Sequence, residues 1–83
     1  MATHIDRNGV TTTVTPKNGK KFTLAEAQGL VGGYVQMVPI GPKRFLLVDE
    51  DGRPKGLPLN SAASTTFGMM LVGHVLCCEK GEF

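Results

Sequence analysis

Two runs, Phe45-Leu46-Leu47-Val48 and Met69-Met70-Leu71-Val72, carry no polar side chain at either parity. Side chains on a strand alternate between faces, so a strand apolar at both parities must be covered on both sides. This requirement limits the folds open to the chain more than any other feature. Elsewhere the chain offers one principal helical pattern, and one short helix covers one face of a small sheet. The other face therefore calls for a second copy, giving a homo-oligomer. A sheet curled into a small closed barrel around its own core is the competing solution.

At 83 residues the chain is a single domain, 1–83, that buries roughly 60% of its unfolded surface. Residues 1–9 are polar and read as a flexible end holding the turn Arg7-Asn8-Gly9, with His4 solvated. Val10 to Thr15 alternates β-branched residues at period two and ends at Pro16, the pattern of an edge strand. Asn18-Gly19 turns the chain back toward Phe22. Thr23 to Val31 is the principal helix. Thr23 and Glu26 form a capping box, Leu24, Ala27 and Val31 make the apolar stripe, and Gly32-Gly33 stops the helix.

Tyr34 to Ile40 and Lys43 to Asp49 read as a hairpin joined through Gly41-Pro42. Asn60-Ser61 caps a brief helical turn that Gly68 ends. Met69 to Cys78 reads as another strand, with Gly73 a bulge or a point of close backbone approach. Residues 79–83 form a second flexible end. The fold class is α+β, a small antiparallel sheet of three to four strands with one principal short helix.

Between the two apolar runs lies V-D-E-D-G-R-P-K-G-L-P-L-N, Val48 to Asn60. Ordinary connections run about four to six residues, so this one is longer than linkage requires. Asp49-Glu50-Asp51-Gly52 reads as a solvated turn, because consecutive acids diverge and no distal glutamate completes a calcium loop. Arg53 and Lys55 are candidate phosphate neutralisers, Gly56 is the turn beside them, and Asn60 presents amide donors and a carbonyl to a base edge. In Gly32-Gly33-Tyr34 the glycines allow close backbone approach and Tyr34 offers a stacking ring. Neither a Walker pattern nor a dinucleotide fingerprint is present.

A net charge of +2 without a basic stripe argues against nucleic acid as the main partner. No apolar run reaches the ~20 residues of a membrane span, and the N-terminus lacks a signal peptide's apolar core, so a cytoplasmic location is expected. Adjacent Cys77 and Cys78 point to opposite strand faces and act as buried thiols rather than a disulfide. With only His4 and His74 besides, no zinc set assembles. His74 reads as a hydrogen-bonded core or interface residue. The serines and threonines after Asn60 have no base or orienting acid in sequence, so no catalytic residues, metal or cofactor are assigned, and the chain is read as a non-enzyme.

From Pro16 onward the series N-G-K-K-F-T-L-A-E-A-Q, V-G-G-Y-V, L-L-V-D-E-D-G, K-G-L-P-L-N and V-G-H-V-L resembles a family of uncharacterised small proteins of bacteriophages, plasmids and other mobile elements. Its most specific parts are Val31 to Tyr34 and Lys55 to Asn60; at His74 the usual pattern has an acidic residue. The resemblance implies a phage-type accessory protein acting in the host cytosol. Small phage proteins of other families sequester nucleotide-derived immune signals as compact oligomers, an analogy of context rather than of fold. The expected function is sequestration of a small nucleotide-type ligand by a homo-oligomer. The alternatives are an adaptor or inhibitor of a host enzyme and a weak nucleic-acid-binding accessory protein.

Overall fold

A computed structural model describes residues 1–83 as one five-stranded antiparallel sheet with a helix on each face. The elements are β1 (Ala2–Ile5), β2 (Thr11–Val14), α1 (Leu24–Val31), β3 (Val35–Pro39), β4 (Arg44–Asp49), α2 (Ser61–Phe67) and β5 (Val75–Glu79). Their spatial order is β2-β1-β5-β4-β3, so the sheet is open, with β2 and β3 at its edges. It is not the closed barrel.

The strand parity of the apolar runs builds two cores. Phe45, Leu47, Leu76 and Cys78 face α1, where they meet Ala2, Phe22, Ala27 and Val31. Leu46, Val48, Val75 and Cys77 face the other way, against Ile5, Ala63 and Leu71. Leu46, Leu47 and Leu76 are fully buried, and each such side chain contributes about 1.5–3 kcal/mol of transfer free energy. The two cysteines are free, on opposite faces, and desolvation pushes the Cys78 thiol up to about 12.

The second face is thus covered from within the chain, by α2 and the segment leading from it through Leu71. The doubly apolar strand β4 does not by itself require a second copy. The stretch after Asn60, which reads in sequence as a brief helical turn, is a seven-residue helix and supplies that cover. Met69 to Cys78 reads in sequence as one strand. Only Val75–Glu79 is strand, and the stretch before it makes one bridge, Leu59 to Val72. Gly73 breaks the strand with φ +71, and the side chain of Leu57 occupies the space a β-carbon there would need.

The leading segment, read as a flexible end, contains a strand that the sequence reading missed. β1 pairs with both β2 and β5, and Ala2 and Ile5 are buried. Arg7-Asn8-Gly9 is the turn joining β1 to β2, closed by Gly9 N–H donating to the Asp6 carbonyl at 2.9 Å. At the other end Glu79 lies in β5, and Phe83 packs against the α1-side core.

Local signals for α1 hold in detail. Thr23 accepts from the Glu26 N–H at 3.1 Å, and the Glu26 carboxylate accepts from the Thr23 N–H at 3.0 Å and the Lys17 N–H at 3.0 Å. Those backbone donors hold its carboxyl below the usual range. Gly32 caps the C-terminus in the left-handed conformation, φ 91. Leu24, however, lies outside the buried stripe at 56% exposed. Phe22, just before the helix, fills the core in its place.

Candidate functional site

The helix ending at Gly32 and the strand starting at Val35 meet at a corner, and that corner faces the loop after β4. The Glu50 N–H donates to the Tyr34 carbonyl at 2.8 Å, which fixes the corner to the end of β4. The loop is stitched by its own backbone: Gly52 N–H to Asp49 O, Lys55 N–H to Asp51 O, Gly56 N–H to Arg53 O, and Leu57 N–H to Gly52 O, at 2.9–3.1 Å. Folded back in this way, it carries Lys55 over Gly33.

The Lys55 ammonium donates to Asp49 Oδ2 at 2.7 Å, and the Asp51 N–H donates to Asp49 Oδ1 at 2.8 Å. The Asp49 side chain is 1% exposed and that of Lys55 42%. Burial pushes the Asp49 carboxyl upward and is the largest single influence on it. The Lys55 hydrogen bond, the Asp51 N–H and the Lys55 charge together outweigh it and hold the group below its usual value. A β-carbon on Gly33 would lie 2.6 Å from Lys55 Nζ and 2.7 Å from Asp49 Oδ2. Any side chain at this position would have to displace the ion pair.

Gly33, Tyr34, Lys55, Gln28 and Asp51 line one open depression of about 360 Å³. Tyr34 is 68% exposed at its side. One of the three Lys55 N–H donors goes to Asp49, and the ammonium remains partly open to solvent. The arrangement offers a ring, a fixed cation, a side-chain amide and bare backbone within one small concavity.

The structure brings Gly33, Tyr34 and Lys55 together, leaves Gly32 as the helix cap beside His74, and disperses the remaining sequence candidates. Arg53 turns to the opposite side, where with Gln36, Val38, Glu50, Met69 and Met70 it lines a cleft of about 420 Å³. Gly56 is a solvent-exposed turn residue with φ +68. Asn60 does not belong to the site at all. It is fully buried, its Nδ2 donates to the carbonyls of Ile5 (3.0 Å) and Gly73 (2.8 Å), and its Oδ1 accepts from the Ala63 N–H (3.1 Å). No polar atom of its side chain faces a ligand.

Sequence reasoning missed Asp49 and Gln28. In sequence Asp49 reads as part of a solvated acidic turn, yet it ends β4 as a buried residue. A signal was present: an acid abutting a fully apolar run continues the buried strand, and a lysine six residues on can return to it. His74 also differs from its reading. Its ring stacks on His4, centroids 5.3 Å apart, while its Nδ1 is buried without a hydrogen-bond partner. His4, expected to be solvated, donates from Nε2 to the Leu30 carbonyl at 2.8 Å.

No helix is long and apolar enough to cross a membrane. No curated protein and no solved structure matches the chain. Across residues 4–83 the chain matches, and belongs to, the family described as a domain of unknown function (DUF3846).

Proposed function

We propose, from membership in that family and the corner at Gly33, that the protein is a non-catalytic binding protein for a small nucleotide-type ligand. The base stacks on Tyr34 and the phosphate is met by Lys55, while the absent side chain of Gly33 gives the ion pair its seat. One observation carries the reading: the Lys55–Asp49 pair rests directly on Gly33, which fixes a half-open ammonium beside an exposed tyrosine. The loop holds Asp49, Glu50 and Asp51 against Arg53 and Lys55. This excess of carboxylates disfavours a long polyphosphate chain, so the ligand that fits carries one or two phosphates per base.

The same proposal places the protein in the cytosol of a host cell as a phage or mobile-element accessory factor. There it sequesters a nucleotide-derived signal, as a homo-oligomer and with an anti-defence role. Calorimetry against cyclic nucleotides and ADP-ribose-type compounds tests it. Binding by at least one member, lost in Tyr34→Ala and Lys55→Ala, is the expected result, and no member binding tighter than roughly 10 µM sinks the idea. A second reading, inhibition of a host enzyme, draws on the cleft of Val38, Met69 and Met70 rimmed by Arg53 and Glu50. Stoichiometric recovery of one host enzyme, lost on Met70→Asp, would favour it.

A further inference from the structure

The sheet has two open edges, and they differ. β3 presents Pro39 at a position that pairs with Phe45 outside the hydrogen-bonded set. Ile40 N–H to Arg44 O and Glu50 N–H to Tyr34 O fix that alternation, so the N–H that Pro39 lacks is one that would point away from the sheet. Proline there blocks strand addition. β2 has no such device. From Val10 to Thr15 the chain reads V-T-T-T-V-T, β-branched throughout, without charge, proline or glycine.

The hairpin bond from Asp6 N–H to Val10 O makes His4 and Thr12 a hydrogen-bonded pair. Thr3–Thr13 and Ile5–Thr11 then fall between the rungs. The backbone N–H and C=O groups of Thr11 and Thr13 therefore point outward from the edge. Val10-Thr11-Thr12-Thr13-Val14 also reads the same in both directions. An antiparallel partner of identical sequence centred on Thr12 sets each Val10 against a Val14 and each Thr11 against a Thr13. Such threonine–threonine and β-branched pairs are favourable across strands. The Thr11–Thr13 pairing uses the outward groups, and Val10, 58% exposed, gains an apolar neighbour.

We infer that β2 is a self-association edge, where a second copy adds its own β2 about a two-fold axis at Thr12 to form a continuous ten-stranded sheet. The inference rests on the reading above only in taking the copies to associate, and it gives that association an interface. The edge lies at the opposite side of the sheet from the Tyr34 corner. A contact of one short strand per copy is smaller than a standard interface of about 800 Å² per partner, so the dimer is a concentration-dependent one.

Sedimentation of the full chain over a range of concentrations tests this. The average mass should rise from 8.8 kDa toward twice that value. Thr13→Pro removes an outward N–H that the fold does not use, and it should weaken association at least about tenfold. Thr12→Lys and Thr12→Glu should each be monomeric, since like charges would face each other across the axis, while their equimolar mixture should recover the dimer. A wild-type mass fixed at one chain up to about 1 mM overturns the proposal, since such a dimer would be weaker than about 4 kcal/mol. So does a Thr13→Pro chain that associates undiminished, or a charge-swapped mixture that gains nothing. Nucleotide calorimetry on Thr13→Pro separates the two readings, because its Tyr34 corner is untouched.

Discussion

The connection from Asp49 to Asn60 uses its polar side chains in opposite ways at its two ends. Asn60 is sealed in the α2-side interior, where every polar atom of its side chain is matched by backbone. Lys55 is matched once, by a buried carboxylate, and keeps the rest of its ammonium at the surface. Both residues belong to the same short motif. The difference teaches that a polar residue in a conspicuous loop signals function only when the fold leaves part of its hydrogen-bonding capacity unused.

Five substitutions sharpen or break this contrast. Asn60→Ala should have the largest effect on stability. It strips α2 of its cap and leaves the Ile5 and Gly73 carbonyls short of a donor, a loss of about 3 kcal/mol in denaturant unfolding. A loss under about 1 kcal/mol would show that water replaces the amide and that the end is not sealed. Lys55→Met should cost about 1–2 kcal/mol, less than for a fully buried pair because the ammonium is partly solvated.

The same pair predicts acid behaviour. The Asp49 carboxyl lies below its ordinary 3.8 in the folded state, so the unfolded chain takes up the proton first as pH falls. Its stabilising contribution is present above about pH 4 and is lost as pH drops through the lower folded value. Asp49→Asn should flatten that part of the stability–pH curve. An unchanged acid limb would show that Asp49 is not held low.

Gly33→Ala should cost about 1 kcal/mol, since the added methyl must displace the ion pair. Combined with Lys55→Met it should cost less than the sum, because one of the displaced groups is already gone. Additive costs would mean that Gly33 and Lys55 are not coupled. Tyr34→Ala should change stability least, within about 0.5 kcal/mol, because the ring is largely solvated. Its effect should appear in ligand affinity instead. A large stability loss would make Tyr34 a packing residue and weaken the binding reading.

Much of this molecule was legible within short windows of sequence. Thr23 and Glu26 specify the start of α1, Gly32 its end, Asn18-Gly19 and Gly41-Pro42 the reversals, and Asn60 with Gly68 the ends of α2. These work through caps and turns that join residues only a few positions apart. The edge position of β2 followed from the proline that ends it, Pro16, and the opposed faces of Cys77 and Cys78 from period-two patterning. The candidate site was half legible. Gly33, Tyr34 and Lys55 carried suggestive chemistry, but nothing local stated that the corner and the loop meet, and the buried state of Asp49 was hidden by its acidic neighbours.

What the sequence determined by itself was the need for two covered faces, because the alternation of Phe45-Leu46-Leu47-Val48 leaves no parity for water. It did not determine what covers them. That was decided by long-range pairing: β1 slots between β2 and β5, and α2 closes over Leu46 and Val48 with its Ala63. The physical reason is one of range. Caps and turns are settled by neighbours in the chain, whereas burial of a sheet face or of the Asp49 carboxylate depends on partners brought in by the whole fold.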